Sequence, residues 1–206
     1  MTVAPGEAAI VLSVAEIFLK GRNRRDFFNA LIRNARRLLA DLPDARVVPL
    51  HLRALVVCPE DQVAAAAARL GRLFGLAAMA PATVVTPDME AIGAAASACA
   101  ARFPADSSFK IETTRRDKRF PLTSLEVSRD IGARVVADRG LAVDVHHPDH
   151  RIAIEIDERH AFVRGDAIAG PGGLPVGTAG NVSLLLSGGI DSPVAGWYAM
   201  RRGCRL

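Results

Sequence analysis

The spacing of apolar and polar positions predicts two successive units of mixed helix and strand. Ala8 to Val14 is an apolar run of strand length, followed by a loop, Glu16-Ile17-Phe18-Leu19-Lys20-Gly21, and a long helix from about Arg22 to Ala40. Phe27, Phe28, Leu31, Ile32, Ala35, Leu38 and Leu39 recur with helical period and predict one buried stripe. Arg22, Arg25, Arg33 and Arg36 are three, eight and three residues apart, so at about 100° per residue they share another face. Arg46 to Leu50 and Leu52 to Val57 predict two short strands, and Asp61 to Phe74 an Ala-rich helix ending at Gly75. The order β-α-β-β-α, continued by the apolar stretch Ala77 to Val85, fits a small ferredoxin-like domain.

A new unit begins where Thr86-Pro87-Asp88 breaks the chain and caps a helix, Met89 to Arg102. Phe109 to Thr114 predicts a strand that feeds a basic turn, Arg115-Arg116-Asp117-Lys118-Arg119. After Pro121, Thr123-Ser124-Leu125-Glu126 has the form of a capping box, in which the Thr oxygen and the Glu carboxylate satisfy orphan backbone N–H groups reciprocally. Leu141 to Val145 and Arg151 to Ile156 predict strands, the second with Ile152, Ile154 and Ile156 facing inward, and His160 to Arg164 completes a hairpin. Gly170-Pro171-Gly172-Gly173-Leu174-Pro175-Val176-Gly177 is too rich in Gly and Pro for a regular element and predicts a linker or a functional loop.

Charge sharpens this picture through its placement. The net charge is +4, yet between positions 20 and 37 the basic residues Lys20, Arg22, Arg24, Arg25, Arg33, Arg36 and Arg37 face Asp26 alone. Lys110, Arg115, Arg116, Lys118 and Arg119 form a second basic stretch against Glu112 and Asp117. Focused positive charge points to a polyanionic partner. For the first helix a solvated face is the competing reading, and the unmixed sign favours a polyanion. Arginine makes up 23 of the 26 basic residues, which genomic base composition also explains, so position rather than residue type is the signal.

The 206 residues, 50% of them hydrophobic, suffice for a sizeable core. No apolar run reaches membrane-spanning length and the N-terminus lacks the basic-then-apolar build of a signal peptide, so the cytoplasm is the expected location. Cys58, Cys99 and Cys204 are widely spaced, which argues for reduced thiols rather than a disulfide framework or a zinc site. His146, His147, Asp149 and His150 fall in a Pro-containing turn without further ligands near in sequence, and no metal site is expected there. With 5% aromatic residues, recognition of structured RNA by shape and phosphates fits better than extended base stacking.

The chemistry concentrates at the end of the chain. Val182 to Leu186, apolar apart from Ser183, predicts a buried parallel strand, leading into Ser187-Gly188-Gly189-Ile190-Asp191-Ser192. Pro193 suits the first helical position, Val194 to Arg202 predict a helix, and Gly203 ends it. Strand, Gly-rich turn and helix make a phosphate cradle: side-chain-free Gly188 and Gly189 admit an anion to the backbone, while the Ser187 and Ser192 hydroxyls and the helix start add donors. The Gly-Lys-Ser/Thr ending of a Walker loop and the Gly-x-Gly-x-x-Gly dinucleotide fingerprint are both absent. The hexapeptide resembles instead the Ser-Gly-Gly-x-Asp-Ser signature of PP-loop ATP pyrophosphatases.

Upstream blocks narrow the resemblance. Glu16 to Arg24 is similar to the "Glu-x-x-x-Lys-Gly-x-Asn-Arg" segment of the tRNA 4-thiouridine synthetases, as are Val143-Asp144-Val145-His146-His147-Pro148-Asp149, Gly170 to Gly177 and Ser187 to Cys204 to further blocks of that family. The resemblance implies an α+β chain: an N-terminal ferredoxin-like domain over 1–75, a THUMP α/β domain over 76–168, a linker at 169–180, and over 181–206 the first β-loop-α of a doubly wound α/β PP-loop domain. It implies a tRNA uracil 4-sulfurtransferase whose first two domains hold tRNA, with THUMP at the acceptor end. The third uses ATP to adenylate uridine 8 at O4, and a protein persulfide, supplied by a cysteine-desulfurase-type donor, displaces AMP. It also implies a homodimer and, in some relatives, a thiamine role.

Carried over by position, the main chain of Leu185 and Leu186 and the residues Ser187, Gly188, Gly189, Ile190, Asp191 and Ser192 contact ATP. Asp191 becomes the essential acid, acting through Mg²⁺ or by ordering the loop, and a helix N-cap remains an open reading of the same residue. Lys20, Arg22, Arg24, Lys110, Arg115, Arg116, Lys118 and Arg119 are the candidates for tRNA contact, each weighed against a merely solvated charge. A doubly wound fold needs further βα units, and the lysine and sulfur-handling cysteines that the family places downstream have no counterpart here, so the 206 residues alone are expected to be inactive. Cys204 fits a core thiol rather than a persulfide carrier. Gly132-Ala133 departs from the paired glycines of relatives. A stand-alone THUMP-type RNA-binding protein without catalysis, or another PP-loop tRNA-modifying enzyme, are the alternatives.

Overall fold

A computed structural model describes residues 6–50 and 53–206, with the side chains of Phe18, Leu19, Lys20 and Arg22 outside that description. The chain forms two compact units: Ile10–Met79 with Ala167–Leu206, and Ala80–Asp166 with the described residues up to Ala9. Each unit has its own hydrophobic core.

The first unit takes up most of β1 (Ala8–Val14), then a 3-10 segment at Glu16–Asn23 and α1 (Arg24–Leu38). β2 (Arg46–Leu50), β3 (Arg53–Val57), α2 (Val63–Leu70) and β4 (Leu76–Val85) follow. The strand order β2-β3-β1-β4 is that of a ferredoxin-like unit. Its cause is the apolar stripe of α1, where Leu31, Ile32 and Ala35 are buried against Ile10 and Leu12 of β1 and Val56 of β3. Each large side chain so buried stabilises the fold by about 1.5–3 kcal/mol.

Two boundaries differ from the sequence expectation. The segment expected as a loop at 16–21 is 3-10, and α1 starts at Arg24 because Gly21, at φ 51 and ψ −121, interrupts helical geometry. The helix expected over 61–74 is regular only at 63–70, preceded by a 3-10 turn at Glu60–Gln62 and followed by turns that end at Gly75, φ 95. Leu52, expected in the second strand of the hairpin, lies outside the described residues.

The second unit adds α3 (Met89–Ala100), β5 (Ser108–Arg115), α4 (Ser124–Arg139), β6 (Ala142–Val143), β7 (His150–Ile156) and β8 (Ala161–Arg164) to the end of β4. Its strand order is β4-β8-β7-β5-β6, with β5 parallel to β6 and β7 and the β4–β8 and β7–β8 pairs antiparallel. Ile152, Ile154 and Ile156 alternate into a core shared with Val127, Ile131 and Val135 of α4 and Ile92 of α3. The capping box of α4 is present: Thr123 N–H donates to Glu126 Oε2 at 2.7 Å and Glu126 N–H to Thr123 Oγ1 at 3.2 Å. The strand expected over 141–145 shrinks to β6, because Asp144 accepts the N–H groups of His146 at 2.8 Å and His147 at 2.9 Å and turns the chain.

The chain then returns to the first unit through β9 (Ile168–Ala169), paired with β4, and ends on α5 (Asp191–Arg201). Between them the Gly/Pro segment is a packed strap. Gly170 and Gly172 donate N–H to the carbonyls of Ala77 and Leu76, each at 2.8 Å, and Leu174 N–H reaches Arg201 O at 2.9 Å. Asn34 of α1 donates its amide to Val176 O at 3.0 Å. Glycine is obligatory at 173, where φ is 73 and an added Cβ would lie 2.2 Å from Arg201 O.

Val182 to Leu186, expected as a buried strand, is neither paired as a strand nor buried: Leu185 is 91% and Leu186 74% exposed. Among the described residues the pairing next to it is the parallel bridge Asn181–Arg205, with Val182 N–H on Arg205 O at 2.8 Å. A parallel strand is buried by neighbours on both edges and helices on both faces. Here one bridge residue and α5 stand in for all of these.

Candidate functional site

The loop 187–192 is built from its ends. Ser187 N–H donates to Ser192 Oγ at 3.1 Å and the two hydroxyl oxygens lie 3.2 Å apart, which closes the neck. Gly189 N–H points to Ser187 Oγ at 3.4 Å. Gly196 lets the entering segment lie on α5, since a Cβ there would meet Leu184 Cδ2 at 2.8 Å. Inside the loop the space is open: nothing lies within 4 Å of a Cβ placed on Gly188, and only Ser187 Oγ, at 3.6 Å, near one on Gly189.

Helix α5 starts at Asp191 with Ile190 as the cap residue and no side-chain capping bond. The N-cap reading of Asp191 is therefore replaced by a position in the first turn. The orphan N–H groups of that turn are left for an outside acceptor, and the helix dipole favours an anion there. Asp191 is exposed and has no ion-pair partner among the described residues.

The candidate cations fall into two environments. On α1, Arg25, Arg33, Arg36 and Arg37 are exposed, and among the described residues none has a carboxylate within ion-pair distance. Arg36 donates to Val47 O at 3.4 Å, and Arg24 is half-buried at the helix start. The side chains of Lys20 and Arg22 lie outside the described residues.

The 115–119 turn differs. Arg116 pairs with Glu155, and Arg119 with both Asp117, at 3.0 Å, and Glu158. Hydrogen bonding from Arg119 and from its own backbone N–H holds the Asp117 carboxyl below the usual carboxylate range, and the same bond raises Arg119. Arg115 is half-buried and donates to Phe120 O at 3.0 Å, inside the turn it begins. Lys110 pairs with Glu112 at 3.2 Å, and Lys118 is exposed without a carboxylate partner among the described residues. Sequence reasoning missed Glu155, Asp157 and Glu158. Glu155 and Glu158 each sit 39 residues after the arginine they pair with, and only the parallel β5–β7 pairing, Arg115 opposite Ile156, brings the three acids to the turn.

Fold and loop together define a class of protein: a ferredoxin-like unit and a second α/β unit, with a Ser-Gly-Gly-Ile-Asp-Ser loop at the start of a helix. Three family descriptions match in the same order: the ThiI ferredoxin-like domain over 9–80, the THUMP domain over 87–164, and the thiamine biosynthesis protein ThiI over 177–206. A probable tRNA sulfurtransferase of Moorella thermoacetica is 45% identical over 199 residues, covering 96% of this chain and 50% of its own length. Among solved structures, a 4-thiouridine synthetase in complex with RNA and bound ATP aligns with a TM-score of 0.85 and 32% identity, over 96% of this chain and 51% of that one. A Pyrococcus horikoshii protein gives a TM-score of 0.85 at 29% identity, over 96% and 66%.

Along 96% of its length the chain is similar to the tRNA sulfurtransferases, or 4-thiouridine synthetases, and it carries their ferredoxin-like, THUMP and ThiI matches in order. It spans about half the length of the curated relatives it matches.

Proposed function

We propose that this chain holds tRNA and presents the ATP loop of a tRNA uracil 4-sulfurtransferase. What carries the reading is the succession of ferredoxin-like, THUMP and loop-bearing stretches, together with the likeness to a 4-thiouridine synthetase described with RNA and bound ATP. In this assignment residues 1–75 and 76–168 hold tRNA, 169–180 connect them to the loop, and 181–206 open the ATP site. O4 of uridine 8 attacks the α-phosphorus of ATP, forming an O–P bond as the bond to the β-phosphate breaks and pyrophosphate leaves. The outer sulfur of a protein persulfide then attacks C4 and displaces AMP, and a second protein thiol cleaves the S–S bond, leaving 4-thiouridine and a disulfide. A cysteine-desulfurase-type donor, a homodimer and a cytoplasmic location complete the assignment.

The loop fits a polyphosphate. Open space at Gly188 and Gly189, hydroxyls at Ser187 and Ser192, and an uncapped helix start supply donors for it. Backbone of Leu185 and Leu186, exposed at the loop entrance, extends the cradle. The exposed Asp191 carboxylate suits Mg²⁺ shared with phosphate oxygens, since that ion takes one or two carboxylates plus phosphates, and it would neutralise charge on the leaving group.

The test is Asp191→Ala in the full-length protein. We expect 4-thiouridine in tRNA to fall below detection while tRNA affinity stays within about twofold, because the phosphate-contacting cations are untouched. Equal loss of modification and tRNA affinity would refute the assignment of Asp191 to ATP chemistry.

A further inference from the structure

The first unit contains a second concavity that the ATP loop does not use. It measures about 480 Å³, within the usual range for a small-molecule site, and its walls include Leu38, Leu73, Phe74 and Trp197, with the guanidinium-bearing Arg37 and Arg72 beside them. Trp197 sits edge-on to Phe74, ring centroids 5.5 Å apart, and stays 39% exposed. Among the described residues no acidic residue lines this cavity, and neither Arg37 nor Arg72 has a carboxylate partner.

We infer that this cavity receives one unstacked nucleotide of a bound RNA, its base against Trp197 and its phosphate between Arg37 and Arg72. The inference rests on the proposal that the chain binds RNA, and adds a site to it. An apolar cavity with two unpaired cations selects a ligand that joins a flat, weakly polar body to an anion, which describes a nucleotide. The approach is cationic too: Arg33 and Arg37 are four residues apart on α1, about 40° around the helix, so the basic face runs into the cavity mouth. A sugar-phosphate backbone following Arg25, Arg33 and Arg36 reaches Arg37 with its bases free to turn inward. One indole serves one base, in keeping with the low aromatic content.

Trp197 is the sole tryptophan, so its emission reports the cavity directly. The 206-residue chain is titrated with a five-nucleotide single-stranded RNA, with an abasic strand of equal length, and with a polyglutamate peptide, following anisotropy and tryptophan emission together. The base-bearing strand should quench emission saturably, with the midpoint given by anisotropy. The abasic strand should bind about tenfold more weakly and leave emission unchanged, the loss expected for one stacked base. Arg37→Gln with Arg72→Gln should lower the slope of log K against log salt by about 1.4. RNA binding without quenching, or equal quenching by the abasic strand or by polyglutamate, overturns the inference and leaves tRNA binding through α1 standing. Absence of any RNA or tRNA binding overturns both.

Discussion

The two units carry similar numbers of basic residues on their candidate surfaces but hold them in opposite ways. In the first, an apolar core and glycine-dependent backbone packing fix α1 and α5, and the exposed arginines of α1 have no carboxylate partner among the described residues. In the second, the basic turn is held by the acids it pairs with, Asp117, Glu155 and Glu158. Charge available to a polyanion is therefore concentrated on α1, whereas a polyanion at the 115–119 turn would have to compete with that turn's own carboxylates. Exposed ion pairs contribute only about 0–1 kcal/mol, so that exchange is cheap and the turn can still take part.

The strongest test of the backbone side is Gly173→Ala. A Cβ 2.2 Å from Arg201 O at φ 73 should destabilise the first unit by about 3 kcal/mol or more, read by urea unfolding, while Gly188→Ala in the open loop should shift stability by less than about 0.5 kcal/mol. Equal effects would show that the strap does not anchor α5. Next in size is charge. Arg25→Gln with Arg33→Gln should lower the salt slope of tRNA binding by about 1.4, and Arg116→Gln with Arg119→Gln by clearly less. Reversal of that order would place the main RNA surface on the turn.

Acid separates the units by another route. Asp88, Glu126, Asp144 and Asp149 are held below the ordinary carboxylate range, chiefly by backbone N–H donors from Ala91, Thr123, His147 and Ser108. Groups with depressed folded values stabilise fully above the unfolded value near 4, and that contribution is lost as pH falls through their lower folded values. All four lie in the second unit, so its amides should lose hydrogen-exchange protection first as pH is lowered below about 4. Prior loss in α1 would contradict this. The smallest effect is expected from Glu158→Gln, which leaves Arg119 paired with Asp117 alone and should tighten tRNA binding by no more than about twofold at low salt.

Local signals in the sequence were enough for much of this. The stripe Phe27 to Leu39 specified the buried face of α1, Thr123 with Glu126 specified the start of α4, and Ser187 to Ser192 specified a turn entering a helix, because each depends on residues within a turn or two. Long-range geometry decided the rest. Residues 115–119 form a basic run on paper, and only the β5–β7 register turns them into a charge-balanced cluster. Gly170 to Gly177 has a linker's composition, and only contacts with Leu76 and Arg201, each far off in sequence on one side, make it a strap. Val182 to Leu186 has a buried strand's composition, but burial belongs to the neighbours of a strand rather than to its letters, and the described residues supply few.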